Sequence, residues 1–482
     1  MDAFVIQGEK RLRGTVRVHG SKNASLPLMA AALLADEPVL LRDVPQLSDI
    51  ASMADLLHAL GCTVERVEDD NALRLTVTDT APCLAHYDVM RKMRAGICVL
   101  GPLLARRGEA RVSMPGGCAI GDRPVDLHLR GLRALGAEIA LEEGYIVART
   151  PPAGLRGAHV FLGGPNGSTV LGTANILSAA VLAQGRTIIE CAACEPEIED
   201  LARLLTAMGA HITGAGTPRI VVDGVDALHG TEHQVIPDRI EAGTYVMAAA
   251  MTNGDVVLEN FPTATLSAVI DRLQEIGVEL EDLGSAGFIE PPSDLRTRPG
   301  SPMPVQTPTT AAADAHRSSA TRTAAVAIAE PRTPNPEPQL RDTVRVAASR
   351  RLSPVHVVTQ PHPGFPTDLQ AQIMALLSLA DGNSIITEKI FPDRFLHVAE
   401  LARMGASLTR SGPTVLAAGT RQLIGAPVMA SDLRASASLV LAGLAARGTT
   451  TINRVYHLDR GYERMELTLQ SLGAEIERVA AK

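Results

Sequence analysis

The chain has 482 residues, of which 46% are hydrophobic and 20% are charged, and its formal net charge is −8. This length fits two large domains or about three average ones, and the composition is that of a globular protein. With 2% aromatic residues, no tryptophan and no basic run, the sequence argues against nucleic acid and anionic membranes as partners, and against stacked aromatic platforms for sugars or bases.

The first residues, MDAFVIQGEKRLRG, lack the basic and then apolar segments of a secretory signal, and no later stretch is long and apolar enough for a membrane helix. All six cysteines lie between Cys62 and Cys194, which does not match a secreted disulfide framework. The CxxC of Cys191 and Cys194 lacks both a second ligand pair for zinc and a thioredoxin context. We therefore expect a cytoplasmic protein with ordinary reduced cysteines there and no bound metal.

A small-residue, apolar helix followed by a turn and a strand is predicted six times along the chain. The first copy is LPLMAAALLADEPVLL at residues 26–41. The later copies contain ICVLGPLL, ANILSAAV, TYVMAAAM, IMALLSLA and SLVLAGLA. Because such a helix is apolar on most of its faces, we expect every copy to be buried.

A second pattern, an amphipathic helix stopped by glycine and followed by a strand, also recurs six times. The first copy is LHALGCTV at residues 57–64. The glycines are Gly61, Gly136, Gly209, Gly277, Gly405 and Gly473. Glycine is a common residue just after a helix, where a left-handed backbone is needed. Together the two patterns predict six units of about 70 residues, each with two helices and several strands.

The spacing between Gly277 and Gly405 is about 55 residues longer than its neighbours, so it contains an extra segment. Residues 291–341 are rich in Pro, Ser, Thr and Ala and contain no aromatic residue. Such a segment cannot bury enough apolar surface to fold. We predict a disordered insertion in a surface loop, either a tolerated spacer or a segment for docking or phosphorylation.

The stretch PGGCAIGD at residues 115–122 places a thiol in a glycine-rich loop. A structural cysteine is usually a small buried hydrophobic residue, but the neighbouring glycines leave little around Cys118 to bury it. Arg123 follows closely and would favour the thiolate. From the loop alone, a reactive and a structural cysteine both remain open.

Charged residues stand at several predicted helix starts, where free N–H groups and the helix dipole favour anions. At the first helices of the units these are Lys22 with Asn23, Arg94, Asp368, and Asp432 with Arg434; at the second helices they are Arg123, Arg394, and Asp459 with Arg460. Singly, such residues are usually solvated caps or surface ion pairs. If the helix starts face one cleft, they predict a cationic site for a substrate with phosphates and a carboxylate, in which Asp368 stays ionised and can act as a base.

Five groups of residues strongly resemble the family of UDP-N-acetylglucosamine 1-carboxyvinyltransferases, which are enolpyruvyl transferases. The matching motifs are GSKNASLP, PGGCAIGDRPVDLH, PDRIEAGTY, GFPTDLQAQ, and DLRASASLVLAG with HLDRGYER. The resemblance covers nearly the whole chain apart from the insertion and a few residues around 150–170. It implies an α/β fold, the two-lobed inside-out α/β barrel with three βαβαββ units per lobe. The implied lobes are residues 22–236 and residues 1–21 with 237–482.

The resemblance also implies a reaction, the first committed step of peptidoglycan synthesis. The enolpyruvyl group of phosphoenolpyruvate moves to the 3′-hydroxyl of UDP-N-acetylglucosamine by addition and elimination through a tetrahedral ketal, and phosphate is released. No cofactor is implied, and the family is often monomeric. Cys118 matches the proton donor, which can form a covalent phospholactoyl adduct and is alkylated by fosfomycin. Asp368 matches the base at the sugar hydroxyl.

Further residues match the family's binding groups. Lys22, Arg123 and Arg460 match residues that hold phosphoenolpyruvate and its phosphate, and Arg434 matches an arginine near its carboxylate. The positions matching the sugar-nucleotide site are Asn23, Arg94, Arg123, Pro124, Val125, Asp126, Leu127, Thr169, Val170 and Ile390. His128 and Arg394 lie in matching motifs.

The sequence departs from the family in two places. Ser21 and Ser25 stand where alanines are usual, and GGPNGSTVLGT at residues 163–173 is longer than usual, which bears on Thr169 and Val170. Two rival functions remain. One is transfer of enolpyruvyl to shikimate 3-phosphate, which the loop cysteine and the Lys22–Asn23 pair fit less well. The other is a non-catalytic sugar-nucleotide sensor or scaffold, which predicts a damaged set of site residues, whereas the set here is complete.

Overall fold

A computed structural model describes residues 2–67, 71–115, 124–165, 167–284, 342–348 and 352–480. Residues 1–284 and 341–482 make up one compact unit, and residues 285–340 are a second unit outside the described part of the chain. The predicted insertion at residues 291–341 and the predicted site residues Cys118 and Arg123 therefore lie outside the described residues.

The described residues form α-helices and short 3-10 helices. The α-helices are α1 (Lys22–Ala31), α2 (Ser48–Ala59), α3 (Tyr87–Met90), α4 (Leu100–Arg107), α5 (Asp126–Ala134), α6 (Val170–Ala180), α7 (Pro196–Ala207), α8 (Arg239–Met251), α9 (Ser267–Ile276), α10 (Gln370–Leu377), α11 (Leu396–Arg403), α12 (Leu433–Ala445) and α13 (Met465–Ser471). The 3-10 helices are Ala32–Leu34, Arg94–Val99, Thr263–Thr265, Thr367–Leu369 and Val455–Arg460.

The strands are mostly short. They are β1 (Asp2–Gln7), β2 (Arg13–Arg17), β3 (Val39–Arg42), β4 (Cys62–Val67), β5 (Ala72–Val77), β6 (Leu84–Ala85), β7 (Glu109–Ser113), β8 (Glu138–Glu142), β9 (Tyr145–Arg149), β10 (His159–Phe161), β11 (Arg186–Glu190), β12 (His211–Thr213), β13 (Arg219–Asp223), β14 (Glu232–Gln234), β15 (Asp255–Phe261), β16 (Val278–Asp282), β17 (Asp342–Ala348), β18 (His356–Val358), β19 (Asn383–Thr387), β20 (Ser407–Ser411), β21 (Thr414–Ala418), β22 (Pro427–Met429), β23 (Thr449–Asn453) and β24 (Glu475–Ala480).

Within the described residues the strands form six four-stranded sheets with one common pattern. In each, a short edge strand pairs in parallel with its neighbour, and the other two pairings are antiparallel. The sheets are β14-β3-β5-β4, β6-β7-β9-β8, β10-β11-β13-β12, β2-β15-β17-β16, β18-β19-β21-β20 and β22-β23-β1-β24. In the third sheet the chain runs β10, α6, β11, α7, β12, β13, which is the predicted βαβαββ order.

The two predicted classes of helix differ in burial as expected. Every residue of α8 is buried, whereas α9 buries Val269, Leu273 and Ile276, which lie along one face. All six predicted stop glycines adopt positive φ angles, between +75° and +107°. A side chain would be strained in that left-handed region, which explains why glycine ends these helices. None of the helices in the described ranges is long and apolar enough to span a membrane.

The buried apolar residues form two separate clusters, here called the first and second core. The first core lies between Ala24 and Ile236, and the second combines Phe4 to Val18 with Ile240 to Ile476. Strand β1 lies between β23 and β24, and β2 pairs with β15, so the start of the chain completes two sheets of the second core. We propose on this basis that the lobes are residues 22–236 and residues 1–21 with 237–482.

The two chain crossings between the cores run side by side. Gly20 and Pro237 form an isolated antiparallel bridge. The Ser21 N–H donates to the Ile236 carbonyl at 2.7 Å, and the Asp238 N–H donates to the His19 carbonyl at 2.8 Å. The helices that follow the crossings, α1 and α8, therefore begin next to each other, and this brings the charged helix starts of both cores together.

Candidate active site

Lys22 opens α1 at the first chain crossing. Ser21 caps this helix, since its Oγ accepts a hydrogen bond from the Ala24 N–H at 3.3 Å. The Lys22 N–H donates to Asp238 Oδ2 at 3.2 Å. Asp238 also caps α8, because its Oδ1 accepts from two N–H groups of the first turn. One buried carboxylate thus joins the starts of two helices from different cores.

Asp49, in the first turn of α2, joins Lys22 to Arg460, and we call these three residues the Asp49 cluster. Lys22 Nζ donates to Asp49 Oδ2 at 3.1 Å, and Arg460 donates through Nε to Oδ1 at 3.0 Å and through Nη2 to Oδ2 at 3.4 Å. Burial raises the pKa of Asp49, but Lys22 and Arg460 outweigh it, so the pKa lies below its ordinary value. With two cations and one carboxylate, the cluster keeps a net positive charge.

Asp368 lies in the 3-10 turn directly before α10, and with Asn23, Arg394 and Arg434 it forms the Asp368 cluster. Arg394 Nη1 donates to Asp368 Oδ1 at 2.8 Å, Arg434 Nη2 donates to Oδ2 at 3.1 Å, and Asn23 Nδ2 donates to Oδ2 at 3.5 Å. Burial raises the pKa of Asp368, but the charges of Arg434, Arg394 and Lys22 outweigh it and hold the pKa well below its ordinary value.

Arg434, in the first turn of α12, is 2% exposed. Asp432 caps the helix by accepting from the N–H groups of Arg434 and Ala435. The Arg434 guanidinium lies over the ring of Tyr462, 5.5 Å from its centroid, and its Nη1 has no hydrogen-bond partner among the described residues. Burial lowers the pKa of Arg434, but Asp368 outweighs it and the pKa is raised, so the group stays charged. A buried guanidinium with an unpartnered nitrogen is suited to binding a carboxylate or phosphate.

A cavity of about 660 Å³ lies near the Asp368 cluster. It is lined by Pro165 and Gly167 from the first core's part of the chain and by Thr359, Gln360, Pro361, Glu388, Lys389, Ile390, Pro392 and Pro413 from the second. Glu388 Oε2 accepts from Thr367 Oγ1 at 2.9 Å, and Thr367 directly precedes Asp368. The cavity therefore adjoins the Asp368 cluster.

One predicted sugar-nucleotide residue lines this cavity, and two others follow one of its lining residues closely in sequence. Ile390 lines it. Thr169 caps α6 by accepting from the Gly172 N–H at 3.2 Å, and Val170 is the first residue of that helix, just after the lining residue Gly167. The cap thus anchors the end of the extended loop beside the cavity.

Residues of the predicted stretch 124–128 take different positions. The Leu127 side chain lies against Gly164, since a Cβ added at Gly164 would be 3.1 Å from Leu127 Cδ1. Val125 is buried in the first core. His128 is also buried, and its Nδ1 lies 2.9 Å from Asn175 Nδ2, so it bonds within that core. Leu127 therefore contacts Gly164, which directly precedes the lining residue Pro165.

Three more predicted residues stand at or just before helix starts. Arg94 is half-buried and opens a 3-10 helix, while Pro124 and Asp126 are exposed at the start of α5. Among the described residues no group of three or more His, Cys, Asp or Glu side chains is arranged to hold a metal ion.

Asp49, Asp238 and Glu388 are site residues that the sequence reasoning missed. Asp49 and Asp238 stand at helix starts, so the same rule would have found them if it had been applied to the starts of α2 and α8. Glu388 follows β19 and stands at no helix start, so that rule gave no signal for it.

Sequence comparison identifies the family. The family model described as EPSP synthase (3-phosphoshikimate 1-carboxyvinyltransferase) matches residues 6–333 and 335–469. The chain belongs to this family of enolpyruvyl transferases. Within the family it resembles UDP-N-acetylglucosamine 1-carboxyvinyltransferases along its whole length. That of Nitratidesulfovibrio vulgaris is 48% identical over 100% of both chains, that of Gluconacetobacter diazotrophicus 48% over 99% of this chain and 100% of the relative, and that of Myxococcus xanthus 45% over 100% of both. The family predicted from the five motifs is confirmed.

Solved structures of enolpyruvyl transferases share the fold. The enolpyruvyl transferase NikO from Streptomyces tendae superimposes with a TM-score of 0.79 at 22% identity, covering 100% of this chain and 99% of that one. EPSP synthase from Acinetobacter baumannii superimposes with a TM-score of 0.70 at 20% identity, covering 100% of both. These similarities, with the six βαβαββ units, confirm the predicted inside-out α/β barrel.

Proposed function

We propose that the protein transfers the enolpyruvyl group of phosphoenolpyruvate to the 3′-hydroxyl of UDP-N-acetylglucosamine and releases phosphate. One observation carries the proposal, namely the meeting of the Asp49 and Asp368 clusters at the helix starts of both cores, where the Asp368 cluster adjoins a cavity of about 660 Å³. The full-length similarity to UDP-N-acetylglucosamine 1-carboxyvinyltransferases supports the choice of acceptor.

Phosphoenolpyruvate carries a phosphate and a carboxylate close together, and the clusters offer cations for both. In the proposal Lys22 and Arg460, with Arg123, bind the phosphate, whose charge offsets the net positive charge of the Asp49 cluster. Arg434 binds the carboxylate through Nη1, the nitrogen without a partner among the described residues. Because Arg434 is buried, its attraction to an anion is weakly screened by solvent.

The acceptor occupies the cavity in this proposal. Its volume is within the range of about 300–1,000 Å³ that is usual for small-molecule sites. The residues proposed to line the sugar-nucleotide site are Asn23, Arg94, Thr169, Val170, Ile390 and the stretch Arg123 to Leu127. The 3′-hydroxyl then points from the cavity towards Asp368.

The proposed chemistry has two steps. In the addition, Asp368 takes the proton of the 3′-hydroxyl, the oxygen bonds to C2 of phosphoenolpyruvate, and Cys118 donates a proton to C3, which gives the tetrahedral ketal. In the elimination, the Cys118 thiolate takes a proton back from C3 as the C2–O bond to phosphate breaks, the leaving phosphate takes the proton held by Asp368, and the enolpyruvyl ether is released with phosphate. A positioned acid and base each contribute about 10²–10⁴-fold to such a step.

The lowered pKa of Asp368 makes it a weak base while Arg394 and Arg434 both bind it. When the carboxylate of phosphoenolpyruvate binds Nη1 of Arg434, its negative charge offsets the positive charge that Arg434 presents to Asp368 through Nη2. The pKa of Asp368 then rises, and the carboxylate becomes a better base once the donor is in place. This order keeps the base inactive in the empty site.

The setting of the reaction is also part of the proposal. We propose a cytoplasmic monomer that catalyses the first committed step of peptidoglycan synthesis without cofactor or metal, and whose Cys118 is alkylated by fosfomycin. The insertion at residues 291–341 is proposed to lie outside the catalytic cycle.

The test is phosphate release from phosphoenolpyruvate with UDP-N-acetylglucosamine as acceptor, with Asp368→Ala and Cys118→Ser assayed in parallel. We expect release by the wild type, loss of release in Asp368→Ala, and loss or a strong change in Cys118→Ser. Shikimate 3-phosphate serves as the alternative acceptor. Release with that acceptor only would reject the proposed substrate, and binding of the sugar nucleotide without any release would favour the sensor hypothesis.

A further inference from the structure

Glu388 is a fully buried carboxylate at the end of β19, with 0% of its surface exposed. Its Oε1 accepts hydrogen bonds from Thr359 Oγ1 at 2.7 Å, from the Ile390 N–H at 2.7 Å and from the Phe391 N–H at 2.9 Å. Its Oε2 accepts from Thr367 Oγ1 at 2.9 Å. A buried carboxylate is tolerated when donors of this kind compensate for the lost hydration.

The first set of these bonds fixes one wall of the cavity. Thr359 Oγ1 donates to Glu388 and accepts from the Lys389 N–H at 2.9 Å. The N–H groups of residues 389, 390 and 391 are therefore all held by Glu388, directly or through Thr359. Of these, Lys389 and Ile390 line the cavity together with Thr359 and Glu388.

The second set leads to the proposed base. Thr367 Oγ1 donates to Glu388, so the same oxygen can accept from Arg394, whose Nη1 lies 3.0 Å away. That Nη1 also donates to Asp368 Oδ1 at 2.8 Å. The direction of each bond follows from the two ends, because a guanidinium can only donate and a carboxylate can only accept.

We infer that Glu388 is a positioning residue that sets both the acceptor-binding wall and the arginine beside the proposed base. The inference rests on the proposed function, because it takes the cavity as the acceptor site and Asp368 as the base. Glu388 acts through other groups, since its own oxygens are occupied by four donors. Its expected effects on acceptor binding and on turnover can therefore be separated by removing either the hydrogen bond through Thr359 or the hydrogen bond through Thr367.

The experiment uses matched threonine variants of the full-length protein. Thr359→Val removes the hydroxyl that ties Lys389 to Glu388, and we expect the KM for UDP-N-acetylglucosamine to rise roughly tenfold while kcat changes less than about twofold. Thr367→Val removes the hydroxyl between Glu388 and Arg394, and we expect kcat to fall roughly tenfold with little change in that KM. Thr359→Ser and Thr367→Ser keep the hydroxyls and should restore wild-type values.

Glu388→Gln tests the shared carboxylate. Its amide oxygen can still accept from the N–H groups of Ile390 and Phe391, but its NH₂ then faces Thr367 Oγ1 and reverses that bond. We therefore expect a fall in kcat like that of Thr367→Val. Binding of UDP-N-acetylglucosamine measured by calorimetry, and thermal melting, should change little.

The results separate the two proposals. No phosphate release by the wild type overturns the proposed function. Release by the wild type together with wild-type kcat and KM in both valine variants overturns the role of Glu388. So does a lowered melting temperature as the only change, or a failure of the serine variants to restore activity, because either result means that the threonines contribute packing and not position.

Discussion

Asp49 is expected to neutralise part of the positive charge of Lys22 and Arg460, and the substrate phosphate is expected to neutralise the rest. The substitution Asp49→Asn tests this. The substitution keeps the shape of the side chain and removes its charge, so Lys22 and Arg460 face each other without a carboxylate. Lys22 and Asp49 are 10% and 5% exposed, which makes theirs a buried pair. Arg460 is 38% exposed, so solvent screens most of its electrostatic attraction to Asp49.

The expected cost follows from these burials. Breaking a buried ion pair costs about 3–5 kcal/mol, and the retained amide oxygen of asparagine offsets part of it, so we expect a loss of about 2–4 kcal/mol in the free energy of unfolding. The pKa of Asp49 is below its ordinary value, so its contribution is present at neutral pH and is lost as the pH falls through that lowered pKa. Wild type and variant should therefore converge in acid.

The assay is thermal melting at neutral pH with and without phosphoenolpyruvate. The variant should melt several degrees below the wild type. Phosphoenolpyruvate should raise the melting temperature of the variant by more than that of the wild type, because the phosphate replaces the missing negative charge. Asp223→Asn is the control, since Asp223 forms an exposed pair with Arg186. Equal melting temperatures for Asp49→Asn and wild type, or equal shifts with phosphoenolpyruvate, would refute the role of Asp49.

Three further predictions concern other contacts. Arg434→Lys keeps the charge but loses the planar fork, so kcat/KM for phosphoenolpyruvate should fall about a hundredfold, whereas the same change at the exposed Arg345 should leave it unchanged in the phosphate-release assay. Burial lowers the pKa of His19, but its buried glutamate partner outweighs it and raises the pKa to about 9. His19→Gln should therefore lower the melting temperature most at pH values below the ordinary pKa of histidine, and the difference from wild type should vanish as the pH rises through about 9. At Gly20 an added Cβ would lie 1.8 Å from the Asp43 carbonyl oxygen, so Gly20→Ala should melt far below the wild type or fail to fold, and a wild-type melting curve would refute this.

The local parts of the fold could be predicted because each has a local cause. The stop glycines occupy left-handed positions that favour glycine whatever the tertiary context, so the pattern around Gly277 predicted both a helix end and a strand after it. The apolar helices were predicted in the same way, because a segment such as α8 has no polar face to expose. The resemblance then supplied the arrangement of six such units in two lobes.

The pairing of charges could not be predicted from local pattern. The helix-start rule found Lys22, Arg434 and Asp368, but a rule about sequence position says nothing about which carboxylate meets which cation. Asp49 bonds to a residue about 400 positions away, and Glu388 acts through hydroxyl groups whose sequence context is unremarkable. Such contacts depend on tertiary structure, so they are visible only once the two cores are in place.

Strand β1 also has a consequence for synthesis of the chain. Residues 2–7 lie between β23 and β24, which are made about 440 residues later, so this sheet can close only after that long stretch of chain has been synthesised. The first core has all its strands by residue 234 and can fold on the ribosome, while the first strand of the chain waits unpaired for its neighbours. A strand that is made long before both of its neighbours has unpaired backbone groups that favour aggregation, and its polar end residues Asp2 and Gln7 oppose this during that interval.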